Sequence, residues 1–191
     1  ENRKYLTEKL GAGESIDVLT KDLDLDGKKG FLLYLDGLTQ GEAVALILQK
    51  LTHMTRAELC PDPVQKLVTQ KIAYMELAVM TELPAIIDEV LSGQMALFLE
   101  GEDRAIVIDT RSYPARSPEE PDTERLTRGS RDGFVETMIF NLALLRRRVR
   151  DPGLRAEGIR LGRRSKTDVA LVYIKDVASP RLVANVRKRL Q

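Results

Sequence analysis

Tryptophan is absent from the 191-residue chain, and histidine and cysteine each occur once, as His53 and Cys60. One cysteine cannot close an internal disulfide, and one histidine cannot supply a histidine-based triad or a zinc cluster. Aromatic residues make up 5% of the chain, so a platform for stacking bases is poorly supplied. We therefore expect His53 and Cys60 to be packing or surface residues, and we expect no cofactor and no metal.

Long apolar runs and nucleotide-binding motifs are also lacking. No stretch of about 18 apolar residues occurs, and residues 1–10 lack the layout of a signal peptide, so we expect the chain as given to be soluble. Gly11 and Gly13 lack the rest of a dinucleotide fingerprint, and no Walker-type phosphate loop occurs. Helix-turn-helix, zinc-finger and RNP signatures are missing too. Nucleotide binding therefore has no support. Nucleic acid would fit the charge of the basic segments near the end of the chain, but no recognition motif for it occurs.

Two acidic patterns imitate functional sites. "DLDLDG" (22–27) begins like a calcium loop, but Leu33 stands where the bidentate Glu is required, so we predict a turn. Glu119 and Glu120 are adjacent acids between prolines and point in different directions, which does not suit a pair of catalytic carboxylates. Neither pattern supports a hydrolase.

The charge is unevenly distributed along the chain. Residues 1–110 hold 11 Lys and Arg against 19 Asp and Glu, whereas residues 111–191 hold 19 against 10, which gives −8 and +9. Such polarity favours docking of the two halves on each other or recognition of partners of opposite sign. Ordinary solvated surfaces would also account for it, and composition does not separate these readings.

Hydrophobic periodicity predicts helices and strands in alternating groups. A T-x-x-E capping box at Thr39 and Glu42 precedes a helix with one apolar face. The other predicted elements are a helix over 1–10, a hairpin of 16–25 with 31–35, a strand over 73–81, a helix over 83–91, a hairpin over 95–110, a helix over 134–149, and strands over 159–161 and 169–174.

A strand-helix unit occurs twice. Residues 33–51 align with residues 172–190 without a gap. In this alignment Tyr34 matches Tyr173, and Val44 matches Val183. Chance similarity of two such units stays open. The pattern predicts an α/β protein of two small subdomains, each with a mixed sheet flanked by helices.

The stretch "RSPEEPDTERLTRGSRDGF" (116–134) holds four Arg and five acids and fits neither helix nor strand. We predict a first subdomain over 1–111, a charged connector over 112–133 and a second subdomain over 134–191. Because Arg can bond carboxylates in a bidentate manner and Pro lowers the entropy cost of ordering, we interpret the connector as ordered by ion pairs. An exposed linker without specific pairing is the alternative.

Basic residues gather after the connector. "RRRVR" (146–150) closes a helix, where cations favour the negative end of the dipole. Arg155, Arg160, Arg163, Arg164 and Lys166 follow, so a basic patch that recognises an anionic lipid surface or an acidic protein face is a further possibility.

The motifs "EEPDTE", "RGSRDGFVE", "NLALLRRR", "DPGLR", "GRRSKT" and "VYIKDVASP" stand in this order after the hairpin "ALFLEGEDRAIVIDTR". In these motifs the sequence resembles the GerA family of spore germination proteins, the receptor A subunits, from about Phe31 to the end. The start of the chain and "RSYPAR" (111–116) are more similar to the SpoVAF branch than to the nutrient-receptor branch.

The resemblance implies a cytosolic amino-terminal region that precedes a membrane domain in the inner membrane of a bacterial spore. It implies oligomeric assemblies with other germination subunits, ion release, self-association in the full-length protein, no enzymatic activity, and a second subdomain that continues past residue 191. A small-molecule germinant sensor with its ligand in the cleft between subdomains is the alternative function. The resemblance and the charge pattern make these residues candidates for subdomain or subunit contacts: Arg128, Arg131, Asp132, Arg146, Arg147 and Arg148.

Overall fold

The computed structural model describes residues 1–72, 76–112 and 133–190. We call 1–112 the N-terminal part and 133–190 the C-terminal part. The elements of the N-terminal part are α1 (Asn2–Leu10), β1 (Val18–Leu25), β2 (Lys28–Leu35), α2 (Gly41–Thr52), α3 (Arg56–Leu59), α4 (Pro63–Lys66) with a π-helical segment (Leu67–Lys71), β3 (Leu77–Met80), α5 (Leu83–Leu91), β4 (Met95–Leu99) and β5 (Ala105–Ile108). Those of the C-terminal part are α6 (Met138–Arg148), β6 (Leu154–Leu161), β7 (Thr167–Ile174) and α7 (Pro180–Leu190).

The N-terminal part is built on a five-stranded sheet in the order β1-β2-β4-β5-β3, with antiparallel neighbours. Every residue of β4 and β5 is buried, because helices cover both faces of the sheet. Alternate side chains of a strand point to opposite faces, so Leu33 and Leu32 belong to different cores. The first core includes α1 and α5, and the second includes α2 and the short helices after it.

The turn between β1 and β2 explains the acidic motif of this region. Asp26 and Gly27 both have left-handed backbone angles, with φ of 52° and 85°, as a two-residue hairpin turn requires. The carboxylate of Asp24 accepts the N–H of Gly27 at 2.7 Å, and that of Asp26 accepts the N–H of Arg56 at 2.9 Å. The predicted turn is confirmed, and two of its carboxylates bond backbone N–H groups.

The C-terminal part holds a two-stranded antiparallel sheet of β6 and β7, followed by α7. Its elements confirm the predicted repeat of strand and helix. The shift that aligns the two stretches of sequence also aligns the starts of their elements. Thr167, where β7 starts, corresponds to Lys28, where β2 starts. Pro180, where α7 starts, corresponds to Gly41, where α2 starts. None of the residues of α7 is buried, in contrast to four in α2.

Several expectations need correction. The capping box does not form at α2, because Gln40 is the N-cap residue and the hydroxyl of Thr39 donates instead to the carbonyl of Gly93 at 3.2 Å. The helix predicted from Phe134 begins only at Met138. The side-chain amide of Asn141 bonds both backbone groups of Val135, at 2.7 and 2.6 Å, and holds the preceding residues outside the helix.

The α/β class is confirmed, with helices flanking the sheets. All strand pairs among the described residues are antiparallel rather than mixed, since hairpins connect most of the paired strands. The proposed division at 112–133 falls largely on residues 113–132, outside the described ranges, so it stays a prediction. Across the described ranges, no helix combines the length and the apolar character that crossing a bilayer requires.

Candidate docking site

A short loop of the N-terminal part, residues 11–17, forms one side of the candidate site. It begins where Gly11 ends α1 with a left-handed φ of 74°. Ser15 and Asp17 are buried although both are polar, and Glu14 between α1 and β1 stays exposed. Burial of a polar side chain costs free energy unless the side chain is hydrogen-bonded, so Ser15 and Asp17 both need bonding partners. We call this loop, together with the residues of α6 and β6 that contact it, the junction.

The central contact of the junction is a buried ion pair. Arg146, in the last turn of α6, donates from Nε to one oxygen of Asp17 at 2.7 Å and from Nη2 to the other at 3.2 Å. The two side chains are 2% and 1% exposed. A buried pair of this kind adds little net stability over apolar packing, but removal of one partner leaves an uncompensated buried charge. The pair therefore fixes which surface of α6 faces the N-terminal part.

A second buried arginine, Arg155 of β6, reaches further into the N-terminal part. Its Nε donates to Glu14 at 3.0 Å, and its Nη2 donates to the carbonyls of Glu8 and Lys9 at 3.2 and 3.3 Å. These carbonyls lie at the C-terminal end of α1, where a cation complements the helix dipole. A Cβ on Gly11 would lie 2.3 Å from Nε of Arg155, so glycine is required there by space as well as by backbone angle.

Glu14 connects two cations of the C-terminal part. Its carboxylate accepts from Nζ of Lys175 at 3.0 Å as well as from Arg155. Hydrogen bonds from Lys175 and Arg155 lower the pKa of Glu14 below its ordinary value of 4.5, and they outweigh the opposing effect of burial. Glu14 is half exposed, so this outer pair is weaker than the buried one.

Backbone contacts complete the junction. The N–H of Ala156 donates to Oγ of Ser15 at 3.1 Å, and the N–H of Ile16 donates to the carbonyl of Ala156 at 2.9 Å. The loop thus pairs with the outer edge of β6 at this position. Gly158 lies beside Ile16, since a Cβ there would be 2.7 Å from the Ile16 side chain.

α6 also packs into the first core of the N-terminal part. Ala143 belongs to that core, and Gly37 allows the close approach, because a Cβ there would lie 3.0 Å from Ile139 and 3.2 Å from Ala143. Beside this contact is a cavity of about 420 Å³, whose lining includes Ile16 and Met138. The junction therefore combines buried ion pairs, one backbone pairing and an apolar contact.

A profile of the Bacillus/Clostridium GerA spore germination protein family matches residues 4–191. The chain belongs to the GerA family of spore germination proteins. Over 190 residues it is 40% identical to stage V sporulation protein AF of Bacillus subtilis strain 168, and over 191 residues it is 31% identical to spore germination protein GerLA of Bacillus cereus. Each alignment covers 100% of this chain but only 38% and 39% of those relatives.

Two further similarities bear on this GerA-family chain. It is 29% identical to the uncharacterized membrane protein YfkQ of Bacillus subtilis, which it covers to 36%. Its fold matches the crystal structure of the N-terminal domain of the A subunit of the Bacillus megaterium spore germinant receptor GerK3, with a TM-score of 0.76 and 24% identity. That match covers 100% of this chain and 69% of the GerK3 chain, and it shows the fold alone.

Of the six predicted contact residues of this family member, Arg128, Arg131 and Asp132 lie outside the described residues. Arg146 forms the buried pair of the junction. Arg147 and Arg148 follow it in the same helical turn, and both are exposed. His53 and Cys60 are exposed as well, and no group of three or more His, Cys, Asp or Glu suited to a metal ion occurs among residues 1–72, 76–112 and 133–190.

Three junction residues were not selected from the sequence as contact residues: Glu14, Asp17 and Arg155. Arg155 closes the family motif "DPGLR", but charge counting placed it in a basic surface patch. Asp17 carries a usable signal, because it is an acid between the apolar residues Ile16 and Val18 at the start of a predicted strand. An acid in such a position needs a cation, and only the structure shows which one.

Proposed function

We propose that this chain is the cytosolic N-terminal domain of a membrane-embedded subunit that acts in spore germination, as a receptor or ion-channel component. Membership of the GerA family supports the role in germination. The chain spans about two fifths of the relatives named above, which leaves room for a membrane domain in the full-length protein. The other subunits of a spore membrane complex, and further copies of the protein itself, are its proposed partners.

Within that role, the junction holds the two parts of the domain in one arrangement, so that a movement or contact at one part is passed to the other. The buried Arg146–Asp17 pair carries this proposal, because its geometry is bidentate and both groups are inaccessible to water. The role is structural and transmits a signal rather than catalysing a reaction.

Spores that carry the full-length protein test this role. Arg146→Gln breaks the buried pair, and Arg155→Lys keeps the charge but loses the planar fork. Arg3→Gln, which breaks an exposed pair with Asp22 away from the junction and the cavity, is the matched control. At equal protein levels we expect the germination rate to fall most for Arg146→Gln, less for Arg155→Lys, and hardly for Arg3→Gln. A normal rate in both junction variants, with the protein at its normal level, would contradict the proposal.

The connector stays part of the proposal although it lies outside the described residues. Replacement of Arg128 and Arg131 by Glu should then lower the melting temperature of this chain or disturb assembly of the full-length protein. A variant that keeps both the melting temperature and the assembly state rules out an ordering role for these arginines.

A small-molecule sensor is the second candidate function, and the cavity beside Ile16 favours it. The cavity lies where the N-terminal loop, α6 and the β6–β7 sheet meet, so a bound molecule would bias how the parts are held. Ligands that bind only the folded state raise its apparent stability, by about 2.7 kcal/mol at 100 times Kd. Thermal-shift scans with amino acids, sugars and dipicolinate at millimolar concentrations test this function, and a flat response counts against it.

A further inference from the structure

The C-terminal part carries an excess of cations over acids. Residues 133–190 contain 14 Lys and Arg against five Asp and Glu. At the turn between β6 and β7, Arg163, Arg164 and Lys166 are all exposed, and none of them forms an ion pair with any described residue. Arg160 at the base of the turn is already paired with Asp168 at 3.1 Å. Three neighbouring unpaired cations repel one another, so the turn attracts anions.

The last turn of α7 adds two more cations to the same end of the structure. Arg187 of α7 donates to the carboxylate of Glu157 at 3.2 Å, and Glu157 is the register partner of Leu171 in β7. Since α7 starts shortly after the end of β7, this bond shows that the helix runs back along the strand. Lys188 and Arg189 therefore lie toward the turn, roughly 10 Å from its base along the strand direction. Both are exposed, and no described acid pairs with them.

We propose that this basic end, defined as Arg163, Arg164, Lys166, Lys188 and Arg189, docks on the anionic headgroup surface of a lipid bilayer. Clusters of four to eight Lys and Arg are typical of sites that bind acidic phospholipids. Screening limits this attraction to about 10 Å at 0.1 M salt, so the basic end binds only where it lies close to the headgroups. This proposal rests on the membrane-embedded role proposed above in one respect, which is that this role places a bilayer close to the domain.

An acidic protein face suits the basic end less well. Stable protein interfaces place aromatic or large apolar side chains at their centre. Among the exposed large apolar side chains, β6, β7 and α7 contribute only Leu190 near this end, and it is 38% exposed. Val177 and Leu182, which are more exposed, lie at the opposite end, where α7 begins. A bilayer surface needs only charge, which this end supplies.

Flotation of the 191-residue chain with vesicles tests the proposal, using phosphatidylcholine with one third phosphatidylglycerol and pure phosphatidylcholine in parallel. The test variant is Arg163→Glu with Arg164→Glu. The matched control is Arg150→Glu with Arg181→Glu, which makes the same charge change at two exposed arginines away from the basic end that pair with no described acid. We expect the parent to bind the anionic vesicles only, the test variant to lose at least about tenfold in partitioning, and the control to lose far less.

Salt and self-association measurements complete the test. Binding should weaken steeply between about 0.1 and 0.5 M NaCl, because screening shortens the reach of the charges. Failure of the parent to bind anionic vesicles, or equal losses in both double variants, would overturn the assignment of binding to the basic end. Sedimentation gives a further check. If the test variant no longer self-associates but binds vesicles as well as the parent does, the partner of the basic end is an acidic protein face and the lipid assignment is wrong.

Discussion

The two strand-helix units of the repeat begin at equivalent positions but have different surroundings. β2 pairs with β1 on one edge and β4 on the other, and α2 buries four of its side chains, including Val44 and Ile47. Among the residues that the structure describes, β7 pairs only with β6. The equivalent residues of α7, Val183 and Val186, are at most half-buried. Within the described residues, the same local pattern therefore lies in a core in one place and in an exposed layer in the other. Burial depends on neighbours that the repeat itself does not supply.

This difference assigns a role to the junction. The buried residues of the C-terminal part all lie between Leu142 and Ala156, in the segment that contacts the N-terminal part. The N-terminal part supplies every buried residue of the two apolar cores except Ala143. We infer that the C-terminal part depends on the junction for its order, whereas the N-terminal part does not depend on the C-terminal part to the same degree.

Of the substitutions that test this comparison, loss of Arg146 should lower the free energy of unfolding most. Arg146→Gln leaves Asp17 buried without a cation, and we expect a loss of about 3–5 kcal/mol in the free energy of unfolding. Arg160→Gln removes an exposed pair and should cost less than about 1 kcal/mol. Urea unfolding of both variants measures this. Equal stabilities would show that the buried pair does not hold the parts together.

Gly11 tests the second arginine. Gly11→Ala forces a Cβ against Arg155, whose guanidinium can move aside only by giving up its hydrogen bonds, so we expect a loss of about 3 kcal/mol. Gly13 is the matched control, because it also has a positive φ, of 90°, but no atom lies within 4 Å of where its Cβ would be. Gly13→Ala should cost only the backbone strain of about 1–2 kcal/mol. Thermal unfolding compares the two, and a milder effect at Gly11 would contradict this packing.

Equivalent valines of the two repeats allow a direct comparison of burial. Val44→Ala removes two buried methyl groups from the second core and should cost about 2 kcal/mol. Val183→Ala, at the matching place in α7, removes the same groups from a half-buried site and should cost less than about 1 kcal/mol. Should the two losses prove equal, the C-terminal unit would be better packed than we describe.

The outer ion pair gives the smallest effect, which depends on pH. Since folding lowers the pKa of Glu14 from 4.5, its contribution is fully present above pH 4.5 and is lost as pH falls through the lower folded value. Glu14→Gln should thus be less stable than the parent at pH 7 and should approach the parent's stability in strong acid. Glu100→Gln, at an exposed site, serves as the control in the same urea series. A constant difference at all pH values would mean that the Glu14 charge is not involved.

Local patterns allowed most of the fold to be predicted. Patterns among residues close in sequence predicted three features that the structure contains: the apolar strand β4, the helix over 83–91 and the match between the two repeats. Contacts between residues far apart in sequence could not be read in this way. Thr39 bonds a carbonyl 54 residues away instead of capping its own helix, and Arg146 finds Asp17 across 129 residues. Charge counting identified basic segments but could not show which arginines are buried.

Hydrogen exchange on the Arg146→Gln variant tests most directly whether the junction orders the C-terminal part. Amide protection reports local opening, element by element. We predict that the amides of β6 and β7 lose most of their protection relative to the parent, while those of β2, β4 and β5 keep theirs. Unchanged protection in β6 and β7, or an equal loss in both sheets, would contradict the account.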